Sequence, residues 1–282
     1  GKNSDMSRTY KATGINLKAI PMGEADRLIT ILTREHGLVR VMAVGARKQN
    51  ARLGGRSDLF VVNDLLIAKG RSLDKLIQAE TLASYPGLGQ DLKKLTASQY
   101  LAELSLCQAM SEQPQEELFI LLNQHLNRLE RSPDTLVMAH LTHAVFQLLV
   151  LGGVAPQVQQ CCVTRRPLTP NFADAHWRIV FSIPAGGVVV TAQAERPTLD
   201  LPITATQLAL LQHLAQAALP DPNSFIPHLP LDSSKVEGLW RGTEQILRLY
   251  AQYHFDRIIR SATLIDACFA SPNQAPALPA ND

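Results

Sequence analysis

Residues 13–43 read TGINLKAIPMGEADRLITILTREHGLVRVMA, and the way this stretch breaks decides the fold. Residues 13–20, 27–33 and 38–43 are short runs rich in β-branched and aliphatic side chains, and His36-Gly37 supplies a tight connection between the last two. Residues 59–68 and 76–82 repeat the pattern around Lys69-Gly70. Five short strands in a segment of this size predict a small barrel, because closing the sheet hides its edges. The five-stranded OB barrel is the form this takes when the partner is an oligonucleotide.

Past Pro86 the period changes from two to three and four. Leu92, Leu95, Tyr100, Leu101, Leu104 and Met110 mark an amphipathic helix starting near Asp91. A second is expected over 115–131, and Pro133 opens a third running to about Leu151. From Gly152 to Pro202 helical spacing disappears. Two strand-like runs, 177–183 and 187–192, flank the turn Pro184-Ala185-Gly186-Gly187 and predict a β-containing insert. Helical patterning resumes over 205–219 and 233–260 around a proline-rich connection, 220–230, and residues 271–282 read as a disordered tail. The domain reading is therefore a remnant of cloning at 1–5, a barrel at 6–85, a helical domain in two parts at 86–152 and 203–270, and the insert at 153–202.

The 282 residues are 46% hydrophobic and 18% charged, which excludes disorder as the dominant state. No unbroken apolar run approaches the roughly 18 residues of a membrane span. Only 4 cysteines occur, and no charged-then-apolar leader opens the chain, so a cytoplasmic protein with no membrane partner is expected. The net charge of +2 conceals an asymmetry. Residues 1–85 carry 14 Lys/Arg against 8 Asp/Glu, and the remainder 13 against 17. The barrel therefore faces a polyanion.

Its most informative cluster is Arg40, Arg47, Lys48, Arg52 and Arg56, five cations without an intervening acid, interleaved with Gly45, Gly54 and Gly55. A mobile, glycine-rich loop bearing guanidinium groups suits phosphate oxygens. Arg27, Arg34 and Lys69 extend the candidate surface. Aromatic platforms are scarce, since the barrel segment offers Tyr10, Phe60 and Tyr85, and Phe60 lies in an apolar run that marks it as core. Binding through phosphates, tolerant of sequence, is expected. A protein that screens two strands at once is equipped to anneal them.

No catalytic residue is expected: Walker, nucleotide-fingerprint and nucleophile-elbow motifs are all missing. Glu24 and Asp26, the close acidic pair near the basic surface, read as orienting Arg27 or capping a turn. Cys161 and Cys162 are adjacent, not spaced as zinc ligands, and Cys107 and Cys268 read as small core hydrophobes. His140 and His143 lack the carboxylates of a di-metal helical site. The alternatives are a protein-interaction scaffold with an incidental basic barrel, and a metal-dependent nucleic-acid enzyme.

The run Gly14-Ile15 through Gly23-Glu24-Ala25-Asp26-Arg27-Leu28, then Thr33-Arg34-Glu35-His36-Gly37, Gly45-Ala46-Arg47, Leu53-Gly54-Gly55, Gln78-Ala79-Glu80 and Tyr85-Pro86-Gly87-Leu88, resembles the N-terminal signature of the bacterial RecO family. Tyr253-His254 and Ser261 are similar to its C-terminal pattern. The resemblance implies an α+β protein with an N-terminal OB-fold followed by a helical domain that a zinc-ribbon-like insert interrupts. It implies binding of single- and double-stranded DNA, strand annealing, and partnership with RecR and single-stranded-DNA-binding protein so that RecA can load. Where relatives carry two Cys-x-x-Cys pairs, this chain has Thr164, Val190 and Gln193 beside Cys161. The insert is therefore expected to be metal-free, packed through Trp177, Ile179, Phe181 and Val189. In the helical part, Arg128, Arg131, Arg241, Arg248, Arg257 and Arg260 are candidates for contact with an acidic protein tail, and each also reads as an ordinary solvated position.

Overall fold

The computed structural model describes residues 8–191, 199–229 and 232–270. Residues 1–5, read above as a remnant, Gln193 and the tail at 271–282, read above as disordered, fall outside them. The chain divides into two compact units, one made of residues 1–95 and 102–130, the other of 96–101 and 131–282.

In the first unit, β1 (Thr9–Met22), β2 (Asp26–Thr33), β3 (Gly37–Ala43), β4 (Val62–Ala68) and β5 (Asp74–Ala83) close a barrel in the order β1-β2-β3-β5-β4. All pairings are antiparallel except β3 with β5, which meet over Val41–Asp74 and Met42–Lys75. This is the OB-type arrangement expected from the strand spacing. Alternation turns Ala12, Ile29, Ile31, Val41, Leu65, Ile67, Leu76 and Ala79 inward to fill the barrel. β1 begins four residues earlier than its pattern suggests and carries a bulge between Asn16 and Lys18. The expected strand from Leu59 starts instead at Val62. Phe60 takes a left-handed conformation (φ 62°), its amide donates to the Asn16 carbonyl at 2.9 Å, and its ring is buried.

Asp91 caps α2 (Leu92–Gln108), accepting from the amides of Lys93 and Lys94, and α3 (Glu116–Arg131) follows the short turn α1 (Pro86–Gly89) and α2 in the chain. Gly37 has φ 64°, and a Cβ there would lie 1.9 Å from the Met110 carbonyl, so only glycine lets the 110–113 segment lie against β3.

In the second unit, α4 (Val137–Leu151) is buried over most of its surface. Residues 134–151 do have the length and mean hydropathy (1.4) to cross a bilayer, contrary to the expectation from unbroken runs, but 61% of that window is buried inside the fold. It is the core helix of this unit. β6 (Arg178–Ser182), β7 (Gly187–Val189) and β8 (Asp200–Thr204) form a sheet in the order β7-β6-β8. β8 escapes the sequence pattern because Pro202 interrupts it, which an edge strand tolerates. Helix α5 (Ala205–His213) stops short of residue 219, and His143 and Gln147 hold the Gln216 carbonyl at 2.8 and 2.6 Å. Helix α6 (Ser233–Phe255) ends where Asp256 turns left-handed (φ 50°), and a further helix, α7 (Arg260–Phe269), follows.

Candidate nucleic-acid interface

The loop between β3 and β4 is a chain of tight turns, not the mobile segment its glycines suggest. Successive amides at Ala46, Lys48, Ala51 and Gly54 each donate three residues back. Two buried asparagines fix its far end: Asn16 Nδ2 donates to the carbonyls of Arg56 (2.8 Å) and Asp58 (2.9 Å), and Asn63 Nδ2 donates to that of Arg56 (2.8 Å). Burying an amide side chain is tolerable only when its donors are matched, so both residues commit the loop to one path.

Two of the candidate arginines are clamps on this loop. Arg27 donates to the Gly54 carbonyl, the Ser57 hydroxyl and Asp58 Oδ1, all within 3.0 Å. Arg47 donates from Nε to the Asp26 carbonyl (2.9 Å) and from its guanidinium to that of Gly23, tying the loop to the β1–β2 turn. Asp26 caps the same junction by accepting from the Gly45 amide at 2.7 Å, while Arg27 is oriented by Asp58. Arg34 lies over the Phe119 ring, 4.9 Å from its centroid, and 3.7 Å from Glu116. It joins the barrel to α3 within the first unit.

The remaining candidates fall into two places. Lys48, Arg52 and Arg56 line a cleft of about 1130 Å³ between the loop and the outer faces of β1, β4 and β5, together with Lys11, which sequence reading did not single out. Glu35, Asp64 and Glu80 line it too, so acids distant in the chain temper a cluster that looks acid-free in sequence. Glu35 accepts from the Thr13 amide (2.9 Å) and Asp64 from the Thr13 hydroxyl (3.0 Å), so both carboxylates are held in place and keep their charge beside the four cations. Arg40 and Lys69 line a separate groove of about 770 Å³ with Arg8, Tyr10, His36 and Arg71. Burial and a 2.5 Å hydrogen bond to Asp74 hold the Tyr10 hydroxyl well above its ordinary pKa, so it stays neutral.

The described residues of the insert do not fit a zinc ion. Cys161 sulfur accepts amide hydrogens from Thr164 and Val190, both at 3.4 Å, where a ribbon would place further thiolates. Burial pushes this thiol up, but the Thr164 side chain and the amides of Thr164, Val190 and Val163 outweigh it and bring its pKa down to about 7. Among the described residues no three His, Cys, Asp or Glu side chains gather as a ligand set. Ile179, Phe181 and Val189 are buried, and Phe181 meets Tyr250 of α6 edge-on at 6.0 Å. Trp177 is half-buried, as are Cys107 and Cys268. Excess chelator is expected to leave the melting temperature unchanged in a thermal scan, and one tightly held zinc per chain by elemental analysis is the result that contradicts this.

A family described as recombination protein O, N terminal, matches residues 6–85, and its C-terminal counterpart matches 89–261. Among curated relatives, the DNA repair protein RecO of a Nostoc species is 51% identical over 304 aligned positions, covering 96% of this chain and 99% of that protein. The protein of the same name from Gloeothece citriformis is 55% identical over 278, covering 93% and 98%.

Proposed function

The chain belongs to the RecO family of DNA repair proteins, and on that premise we propose that it binds single- and double-stranded DNA through its barrel, anneals complementary strands and acts without a catalytic site. With a RecR partner it helps RecA load onto DNA covered by single-stranded-DNA-binding protein, in the cytoplasm at the nucleoid. The observation that carries this reading is the gathering of Lys48, Arg52 and Arg56 along one cleft on a loop whose backbone is already fixed. A fixed backbone spares the cost of ordering the loop when its cations meet phosphates, and phosphates are common to every sequence and to both strand states. We assign this role to residues 6–85, with 86–152 and 203–270 as the helical domain around the insert at 153–202.

Fluorescence-monitored annealing of complementary oligonucleotides tests the reading, run with bare strands and with strands coated by the cognate single-stranded-DNA-binding protein. The expected result is acceleration in both cases, fading as salt rises. Tight binding of both strands with no acceleration contradicts annealing, and no binding leaves the protein-scaffold alternative in its place.

A further inference from the structure

We infer that the Cys161 sulfur takes over the work of a metal in the insert: as a thiolate it gathers hydrogen-bond donors from two separate segments and pins them together without an ion.

The backbone brings those segments to the sulfur. In the order β7-β6-β8, β7 lies at an edge, and residues 157–162 run along it. The Gln157 amide donates to the Gly186 carbonyl (2.9 Å), the Val188 amide to that of Gln157 (2.9 Å) and the Cys162 amide to that of Val188 (2.8 Å). A Cβ on Gly187 would lie 2.1 Å from the Gln157 carbonyl oxygen, so glycine is what lets the two segments come this close. The chain then turns back on itself. Arg165, left-handed at φ 61°, donates its amide to the Cys161 carbonyl (2.8 Å), and the Cys161 amide donates to the Arg166 carbonyl (2.9 Å). This tight turn aims the Thr164 amide at the buried Cys161 sulfur, and the Val190 amide reaches the same sulfur from just past β7, both at 3.4 Å.

A ribbon's ion joins two such segments by drawing charge from thiolates on each. With Thr164 and Val190 in place of cysteines, one sulfur is left and cannot chelate. Amides converging on that sulfur stabilise negative charge on it as a backbone nest does for an anion, and hydrogen bonds to a charged acceptor are about twice as strong as neutral ones. Burial by itself raises this thiol, and the Thr164 side chain together with the amides brings it from 9.0 to about 7. The charged groups nearby are those of the turn itself, the exposed Arg165 and Arg166, while residues 186–190 opposite carry none. Cys162, with Tyr250 of α6 beside it, is pushed up by burial and by the Cys161 charge, so it stays a thiol when Cys161 ionises.

Ultraviolet thiolate absorbance and hydrogen exchange of the full chain, in chelator, test this. The absorbance of wild type minus Cys161→Ser is expected to titrate as one thiolate with a midpoint of about 7. Thr164→Val removes a donor but keeps the sulfur, so it should move the midpoint upward, and Thr164→Ser should restore it. Both are read directly against wild type, which keeps the test intact should the Cys161 variant fold poorly. Exchange at residues 186–190 reads the pin itself. A thiol lowered in the folded state contributes stability that is present at high pH and lost as pH falls through about 7. The ratio of exchange rates, Cys161→Ser over wild type, is therefore expected to grow about tenfold between about pH 6 and pH 8. A sulfur held for its packing alone gives a ratio constant with pH and a titration indifferent to Thr164. Either result overturns the proposal, as does stoichiometric zinc that slows exchange of the wild type when chelator is left out.

Discussion

Arg248→Met is expected to cost about 3–5 kcal/mol of stability, because it leaves a buried carboxylate without its cation. Glu244, on α6, has its side chain 1% exposed, and Arg248 one turn later is 12% exposed. The arginine donates from Nε to Glu244 Oε2 at 3.0 Å and from its guanidinium to Oε1, then reaches Asp266 of α7 at 2.9 and 3.1 Å. The buried Tyr100 hydroxyl closes the network on Glu244 at 3.3 Å. Burial raises the Glu244 pKa despite Arg248 and Tyr100 pulling it down, so removing Arg248 raises it further. A carboxylate whose folded pKa exceeds its unfolded value binds more protons when folded. Stability then falls as pH rises through the raised value and is recovered below the ordinary glutamate range. Urea titrations should therefore show the deficit of Arg248→Met shrinking from pH 8 toward pH 5. The double variant Glu244→Leu with Arg248→Met should recover much of the loss at every pH, since no charge is then left buried. A deficit that grows on acidification contradicts this account.

The barrel was legible because its strands carry period-two alternation between turn residues, and the inward set Ile29, Ile31, Val41 and Ile67 is the set that alternation selects. Its irregularities were not. The bulge after Asn16 and the left-handed Phe60 depend on each other's backbone, through Phe60 N to Asn16 O, and neither leaves a compositional trace. Helix α7 was hidden because, past Gly242, the α6 pattern runs up to Arg260 with no glycine or proline to stop it. The stop is Asp256, a residue type that enters left-handed conformations more readily than most.

The candidate interface was legible as a charge cluster but not as a surface. Sequence proximity put Arg47 beside Lys48, yet the acceptors that occupy Arg47 are backbone carbonyls of residues 23 and 26, and backbone acceptors are the same at every position. Arg27 and Arg34 are likewise spent on Asp58, Glu116 and Phe119, partners 31 to 85 positions away. Arg8 and Arg71 were passed over for the converse reason: neither stands in a run of cations, and the closed strand order is what brings them to Arg40.

Changing Lys48, Arg52 and Arg56 together to Ala is expected to lower the salt slope of binding by about 2 on single strands and by nearly 3 on duplex, at about 0.7 and 0.9 per phosphate. Between about 50 and 200 mM salt, wild type then loses roughly 20-fold more single-strand affinity, and roughly 40-fold more duplex affinity, than the variant does. The three side chains line the cleft without an internal acceptor among the described residues, while the bonds that fix their loop come from Asn16, Asn63, Arg27 and Arg47. The variant should therefore keep its circular dichroism spectrum and melting temperature. Arg47→Ala makes the matching control. It removes one equal charge but also the tie to the Gly23 and Asp26 carbonyls, so it should lower the melting temperature while shifting the slope little. Because no aromatic ring lines the cleft among the described residues, the triple variant should lose affinity equally for different base compositions. A folded triple variant with unaltered slope on both ligands would move the phosphate contact off this loop, and a large slope change in Arg47→Ala at constant stability would return Arg47 to the binding surface.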